Sequence, residues 1–133
     1  LGIADESPDD ELPTALHDAR NDWIDDCYIG DDPSEILHRL ETHPHPEANR
    51  AGSELRNRSP FAVHVTLRAL RRAVGMDQSE VLAQDLRLAE NMVPVDFVEG
   101  VRARLIDKDN RPRWRHERIE DGPDSLVDAT FDW

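Results

Sequence analysis

The stretch Ser59-Pro60-Phe61-Ala62-Val63-His64-Val65-Thr66-Leu67-Arg68-Ala69-Leu70-Arg71-Arg72-Ala73-Val74-Gly75 decides the fold class. Ser59 is a good N-cap, and Pro60 suits the first helical position, where its missing N–H leaves no bond unmade. Val63, Leu67, Leu70 and Val74 then share one helical face, with Ala62, Val65, Ala69 and Ala73 beside them. Gly75 is a helix stop. Asp77-Gln78-Ser79-Glu80 next has the form of a capping box, and Leu82, Leu86, Ala89 and Val93 follow at helical spacing as far as Pro94, which should end that helix. Two amphipathic helices joined by a short turn containing glycine are expected to pack as an antiparallel hairpin.

Toward the C-terminus, Asp96-Phe97-Val98-Glu99 reads as a further capping box. It opens a helix with Phe97, Val101 and Leu105 inward and with Gly100 close against a neighbour. From Lys108 the chain turns polar. Pro112, Gly122 and Pro123 predict an extended tail over 108–133, with Trp114, Phe131 and Trp133 as aromatic anchors. Toward the N-terminus, Asp32-Pro33-Ser34-Glu35 combines a cap, a first-position proline and a capping-box acid ahead of Ile36, Leu37 and Leu40. His43-Pro44-His45-Pro46 ends that helix. Residues 47–57 form a thinner one with Ala48, Ala51 and Leu55 as its seam, weakened at Gly52 by about 1 kcal/mol relative to alanine. Leu12, Leu16, Ala19 and Trp23, widened by Ile24 and Cys27, predict a helix from Pro13 to Tyr28 behind a flexible acidic lead-in over 1–12. No run alternates convincingly as a strand, and no solenoid repeat is present. The expectation is an all-α chain, with a helical domain over 13–107.

Composition sets the limits. The 133 residues carry a net charge of -13 and are 38% hydrophobic, with a mean hydropathy of -0.71. That balance is lean for a stand-alone globule and suits helices that need a partner surface. Strong acidity argues against nucleic acid and anionic membranes as partners. No apolar run approaches the ~20 residues that span a bilayer, and no signal peptide is visible. Leu1 reads like the interior of a longer chain. Cys27 is the single cysteine, so no disulfide framework is expected. It reads as a small buried hydrophobe in a reducing compartment.

Few residues suggest chemistry. His43 and His45, with His38 nearby, lack a further spaced ligand, so no metal site is expected. Asp25-Asp26 and Asp31-Asp32 read as helix-end and turn residues. His64, Arg68, Arg71 and Arg72 make a basic stripe in an acidic chain, readable as a phosphate cradle or as a face paired with nearby carboxylates. Lys108 sits at a helix C-terminus, where a cation is favoured. Asp96 and Glu99 suit a helix start, and Trp114 suits packing.

One family shares these blocks. Ser59-Pro60, then Val65 to Leu70, Glu80-Val81-Leu82 and Leu86-Arg87-Leu88, resemble the C-terminal helices of 3-hydroxyisobutyryl-CoA hydrolases of the crotonase (enoyl-CoA hydratase/isomerase) superfamily. The most specific block runs from Asp96-Phe97-Val98-Glu99-Gly100 to Asp107-Lys108-Asp109-Asn110 and closes with Pro112-Arg113-Trp114. The resemblance implies a helical C-terminal region that packs on a crotonase α/β core absent from this sequence. It implies an acyl-CoA as substrate rather than cofactor, hydrolysis of its thioester in valine breakdown, and a homo- or hetero-oligomer in the cytoplasm or, in a eukaryote, the mitochondrial matrix. It implies that no catalytic residue lies in this chain, and that Lys108, with Arg68 and Arg72, contacts CoA. An enoyl-CoA hydratase or isomerase is the neighbouring possibility. A non-catalytic helical interaction module is the alternative from another class.

Overall fold

The computed structural model describes residues 21–133. The lead-in expected over 1–12, and the Pro13 to Arg20 part of the first expected helix, lie outside them. Among the described residues the regular structure is helical and no strand is present. The elements are α1 (Asp22–Cys27), α2 (Pro33–Thr42), α3 (Pro46–Arg56), α4 (Pro60–Ala73), α5 (Gln78–Met92), a π-helical turn (Val93–Phe97), α6 (Val98–Val101), a second π-helical turn (Arg102–Ile106), a 3-10 turn (Ile119–Asp121) and α7 (Asp124–Thr130).

Proline, cap residues and glycine punctuate the chain, with the cap residues the sequence predicts at α2, α4 and α5 and, at α3, with His45, which the sequence marks only as the end of α2. Asp32 accepts from the Ser34 N–H at 2.9 Å, with Pro33 in the first turn of α2. Glu35 forms no capping box there; it lies 3.9 Å from Arg39 one turn on. His45 caps α3 through Nδ1, which accepts from the Glu47 N–H at 3.1 Å. Ser59 caps α4, and Asp77 with Glu80 forms the reciprocal box on α5. Gly75, at φ +87, supplies the left-handed turn between α4 and α5.

Two apolar clusters hold the helices. Cys27, Ile36, Leu40 and Ala48 form the first, joined by Trp23, Ala51, Leu55 and Leu67. Asn49 closes this end by donating to the carbonyls of Leu40 (3.0 Å) and His43 (2.8 Å), which α2 leaves unpaired at its C-terminus. Gly52 is where α3 meets α2. A Cβ there would stand 3.2 Å from Glu41 Cγ and 3.3 Å from Leu40 Cβ, so this glycine permits close approach. Phe61, Val65, Leu88, Val127 and Phe131 form the second cluster, with Ala69, Met92, Val95 and Leu126 against it.

The second cluster corrects four expectations. The tail over 108–133 is not extended throughout: α7 packs Val127 and Phe131 against α4 and α5. Because α7 lies there, α4 turns Phe61, Val65 and Ala69 toward it, and Leu70 and Val74 face outward. Likewise α5 buries Gln84 and Leu88, while Leu82, Leu86 and Val93, expected inside, are exposed. A helix with two apolar stripes can turn only one toward a given partner, and α7 decides which. Pro94 does not end the helical run either. It falls in the π-helical turn, whose wider winding relieves the clash of the proline ring with the preceding turn.

The Asp96 to Trp114 block is therefore helical from its beginning. Phe97 sits in helical backbone, so Asp96 and Glu99 are not a capping box. Phe97 and Leu105, expected inward, are exposed, while Ala103 is fully buried. Gly100 does lie against a neighbour: a Cβ there would touch the Trp114 ring at 3.4 Å.

Candidate functional site

The polar residues of this block form two connected junctions. Asp96 is buried. Its Oδ2 accepts the Ser59 hydroxyl, and its Oδ1 accepts the Arg115 N–H at 2.9 Å. Ser59 Oγ in turn accepts from the Ala62 N–H at 3.1 Å. One carboxylate thus ties the start of α4, the helical run after α5 and the returning tail. The positive end of α4 favours a negative charge at this place.

Arg102 builds the second junction. Its Nε and Nη2 grip Glu99 at 2.8 and 2.6 Å, a bidentate pair one turn apart. Its Nη1 donates to Asp107 at 2.7 Å and to Asp109 at 2.9 Å, and Nη2 also reaches the Arg111 carbonyl at 3.3 Å. Glu99 Oε1 accepts the Arg113 N–H at 2.7 Å. The Arg102 guanidinium, helped by that N–H, holds the Glu99 carboxyl down at about 2. Hydrogen bonds to the same guanidinium lower Asp109, and the three carboxylates raise Arg102 itself.

Lys108 stands inside this junction, between Asp107 and Asp109. It is the only lysine of the chain. Its backbone is left-handed (φ 54), as is that of Asn110 (φ 53), a conformation seldom adopted by residues other than glycine or asparagine. The turn is closed by the Asp107 N–H donating to the Arg102 carbonyl at 2.8 Å and the Asn110 N–H donating to the Ala103 carbonyl at 3.0 Å. Lys108 is exposed, and no ion pair among the described residues uses its ammonium.

Arg68 and Arg72 come together elsewhere, over the C-terminal aromatics. Arg68 pairs with Asp128 and lies 5.5 Å from the Phe131 ring centroid; Arg72 lies 5.0 Å from Phe131 and 5.4 Å from Trp133. Arg71 instead holds the loop after α1, donating to the Gly30 carbonyl at 2.9 Å, and His64 donates to the Ile119 carbonyl at 2.9 Å. The basic stripe of α4 therefore has an internal partner at each of these positions. His43 pairs with Asp26 at 2.9 Å, Cys27 is fully buried, and the described residues contain no group of three or more His, Cys, Asp or Glu suited to a metal. No helix among them is long and apolar enough to cross a membrane.

Sequence reasoning passed over Arg102. The signal was present, since Glu99 three residues before an arginine and two aspartates shortly after it are the spacing of a local ion network.

Outside the block, α5 and the run after it present Leu82, Leu86, Phe97, Val98, Leu105 and Ile106, each 60–70% exposed.

Known proteins carry the same architecture. The 3-hydroxyisobutyryl-CoA hydrolase of Gallus gallus, a mitochondrial protein, is 34% identical over 86% of this chain. An enoyl-CoA hydratase structure from Rhodobacter sphaeroides 2.4.1 superposes with a TM-score of 0.77 at 36% identity over 90% of the chain, and a carnitinyl-CoA dehydratase structure from Mycobacterium thermoresistibile with 0.77 at 34% over 86%. The chain spans only about a third of the length of each: 30% of the first, 34% of the second and 33% of the third. The match to the hydrolase falls on its C-terminal part. A sequence model described as Enoyl-CoA hydratase/isomerase matches residues 2–131. With nearly the whole chain inside that match, the chain belongs to the enoyl-CoA hydratase/isomerase family.

Proposed function

We propose that this chain is the C-terminal helical part of an acyl-CoA thioester hydrolase, acting on 3-hydroxyisobutyryl-CoA in valine breakdown. The exposed apolar run from Leu82 to Ile106 carries the reading. Covering each of those side chains is worth about 2 kcal/mol, so the run is built to be covered. The occupant is the crotonase α/β core of the same enzyme, N-terminal to the helices or supplied as a separate polypeptide. In that assembly the helices close one side of the acyl-CoA site, and Lys108 offers its ammonium to the phosphates of CoA. Arg68 and Arg72 serve the C-terminal aromatics first, so their share in CoA binding is smaller. The core supplies the reacting groups. Water adds to the thioester carbonyl, the C–S bond breaks, and the CoA thiolate leaves and takes up a proton. The acyl-CoA is substrate, no cofactor takes part, and the setting is the mitochondrial matrix or the bacterial cytoplasm.

The test is to purify the natural protein that carries this sequence, determine its mass, and supply it with 3-hydroxyisobutyryl-CoA and with an enoyl-CoA. Release of free thiol from the first supports the hydrolase. Loss of the enoyl double bond without thiol release transfers the protein to the hydratases, the reading favoured by the two structural relatives. Turnover of neither by a protein with the mass of this chain alone, with no core polypeptide purifying alongside it, leaves a non-catalytic module and overturns the proposal.

A further inference from the structure

We infer that Arg102 is a positioning residue for ligand capture: by drawing Asp107 and Asp109 onto itself, it leaves the Lys108 ammonium unpaired and available to an anionic group. The inference rests on the proposed contact between Lys108 and CoA and adds the device that makes the contact possible. A lysine flanked on both sides by aspartates, in a chain of net charge -13, would ordinarily be neutralised by its neighbours. Here both neighbours are engaged, at 2.7 and 2.9 Å, by one guanidinium. The fork geometry matters, because Nε and Nη2 are occupied by Glu99 while Nη1 serves the two aspartates. Lysine in place of Arg102 has a single ammonium and cannot span that set. The same network holds the turn. Asp109 Oδ1 accepts the Arg111 N–H at 2.9 Å, and the left-handed backbone of Lys108 lies between residues fixed on both sides. A residue in a sparsely populated conformation persists only where its surroundings determine it.

The experiment uses the full natural protein and two substrates with the same acyl group, the CoA thioester and the N-acetylcysteamine thioester, which lacks the nucleotide and its phosphates. Lys108→Ala should raise KM for the CoA thioester about tenfold, the scale of one charge-assisted hydrogen bond, with kcat nearly unchanged. Arg102→Gln should raise it comparably, and Arg102→Lys should not restore it. Neither should alter KM for the short thioester. Adding Asp107→Asn and Asp109→Asn to Arg102→Gln should recover most of the loss, because the competing carboxylates are gone. If Lys108→Ala raises KM and Arg102→Gln does not, the positioning role falls and the lysine contact stands. No effect of Lys108→Ala removes the contact and the inference with it. An equal loss on both substrates with Arg102→Gln, or no recovery with the two asparagines, assigns Arg102 to structure alone and overturns the inference.

Discussion

The α2–α3 pair and the run from α5 to Ile106 are made of similar residues and dispose of them differently. In the first, Ile36, Leu37, Leu40 and Ala48 are buried, and Asn49 and Asp32 satisfy the helix ends. In the second, Leu88 and Ala103 are buried while Leu82, Leu86, Phe97, Val98, Leu105 and Ile106 stay out. Helix formation is equally well specified in both, since α5 has a complete capping box. The contrast lies in tertiary cover. One region is covered by this chain, and the other leaves six large apolar side chains exposed. Six such side chains amount to on the order of 10 kcal/mol on covering, comparable to the net stability of a whole domain.

The largest effect separates the two regions directly. Leu40→Ala should cost about 2–5 kcal/mol by urea unfolding, whether measured on this chain or on the full natural protein. Leu86→Ala should stay within about 0.5 kcal/mol on the chain and cost more on the full protein. Equal effects of Leu86→Ala in both would break the comparison, because the exposed face would then have no partner.

A smaller effect concerns how the second region is tied down. Asp96→Ala leaves the Ser59 hydroxyl and the Arg115 N–H without their acceptor, and should cost about 1–3 kcal/mol. A loss near zero would mean that the tail is not held at that carboxylate. Gly52→Ala sharpens the other side. The gain of helix propensity, about 1 kcal/mol, is set against a Cβ 3.3 Å from the fixed Leu40 Cβ. Overpacking should prevail, with a net loss of about 1 kcal/mol. A more stable variant would show that α2 and α3 can separate slightly.

The smallest effect is read by pH. Glu99 is held at about 2, against an ordinary 4.5, chiefly by Arg102. Its folded pKa is depressed, so its contribution is present above 4.5 and is lost as pH falls from there through 2. The Arg113 amide signal, followed by NMR over that window, should shift as the carboxyl protonates. A shift centred near 4.5 would show that the Arg102 junction does not hold Glu99 in solution.

Local chemistry made much of the fold legible. Pro33, Pro46 and Pro60 each follow a capping side chain, and Gly75 sits where φ must be positive, so helix starts and one stop follow from residue type. Pro94 misled because a proline breaks an α-helix partly through the clash of its ring with the preceding turn, and the wider winding of a π-helical turn relieves that clash while the missing N–H is simply forgone. α7 was legible and missed: Leu126, Val127, Thr130 and Phe131 have helical spacing behind Pro123. At the candidate site, Lys108 and the Asp96–Glu99 acids stood out by type and position, and Arg102 was legible from its spacing to Glu99, whereas the contacts of Asp96 with Ser59 and Arg115 join segments far apart in the chain.

By itself, then, the sequence determined the helical class, the capped starts of α2, α4 and α5 and the block that carries the family likeness, because those depend on bonds made within a turn or two. Tertiary structure alone decided which stripe of α4 and α5 is buried and that Asp96 is a junction rather than a cap. Those outcomes depend on where α7 and the tail return, 19 to 60 residues away along the chain, and no local pattern encodes that distance.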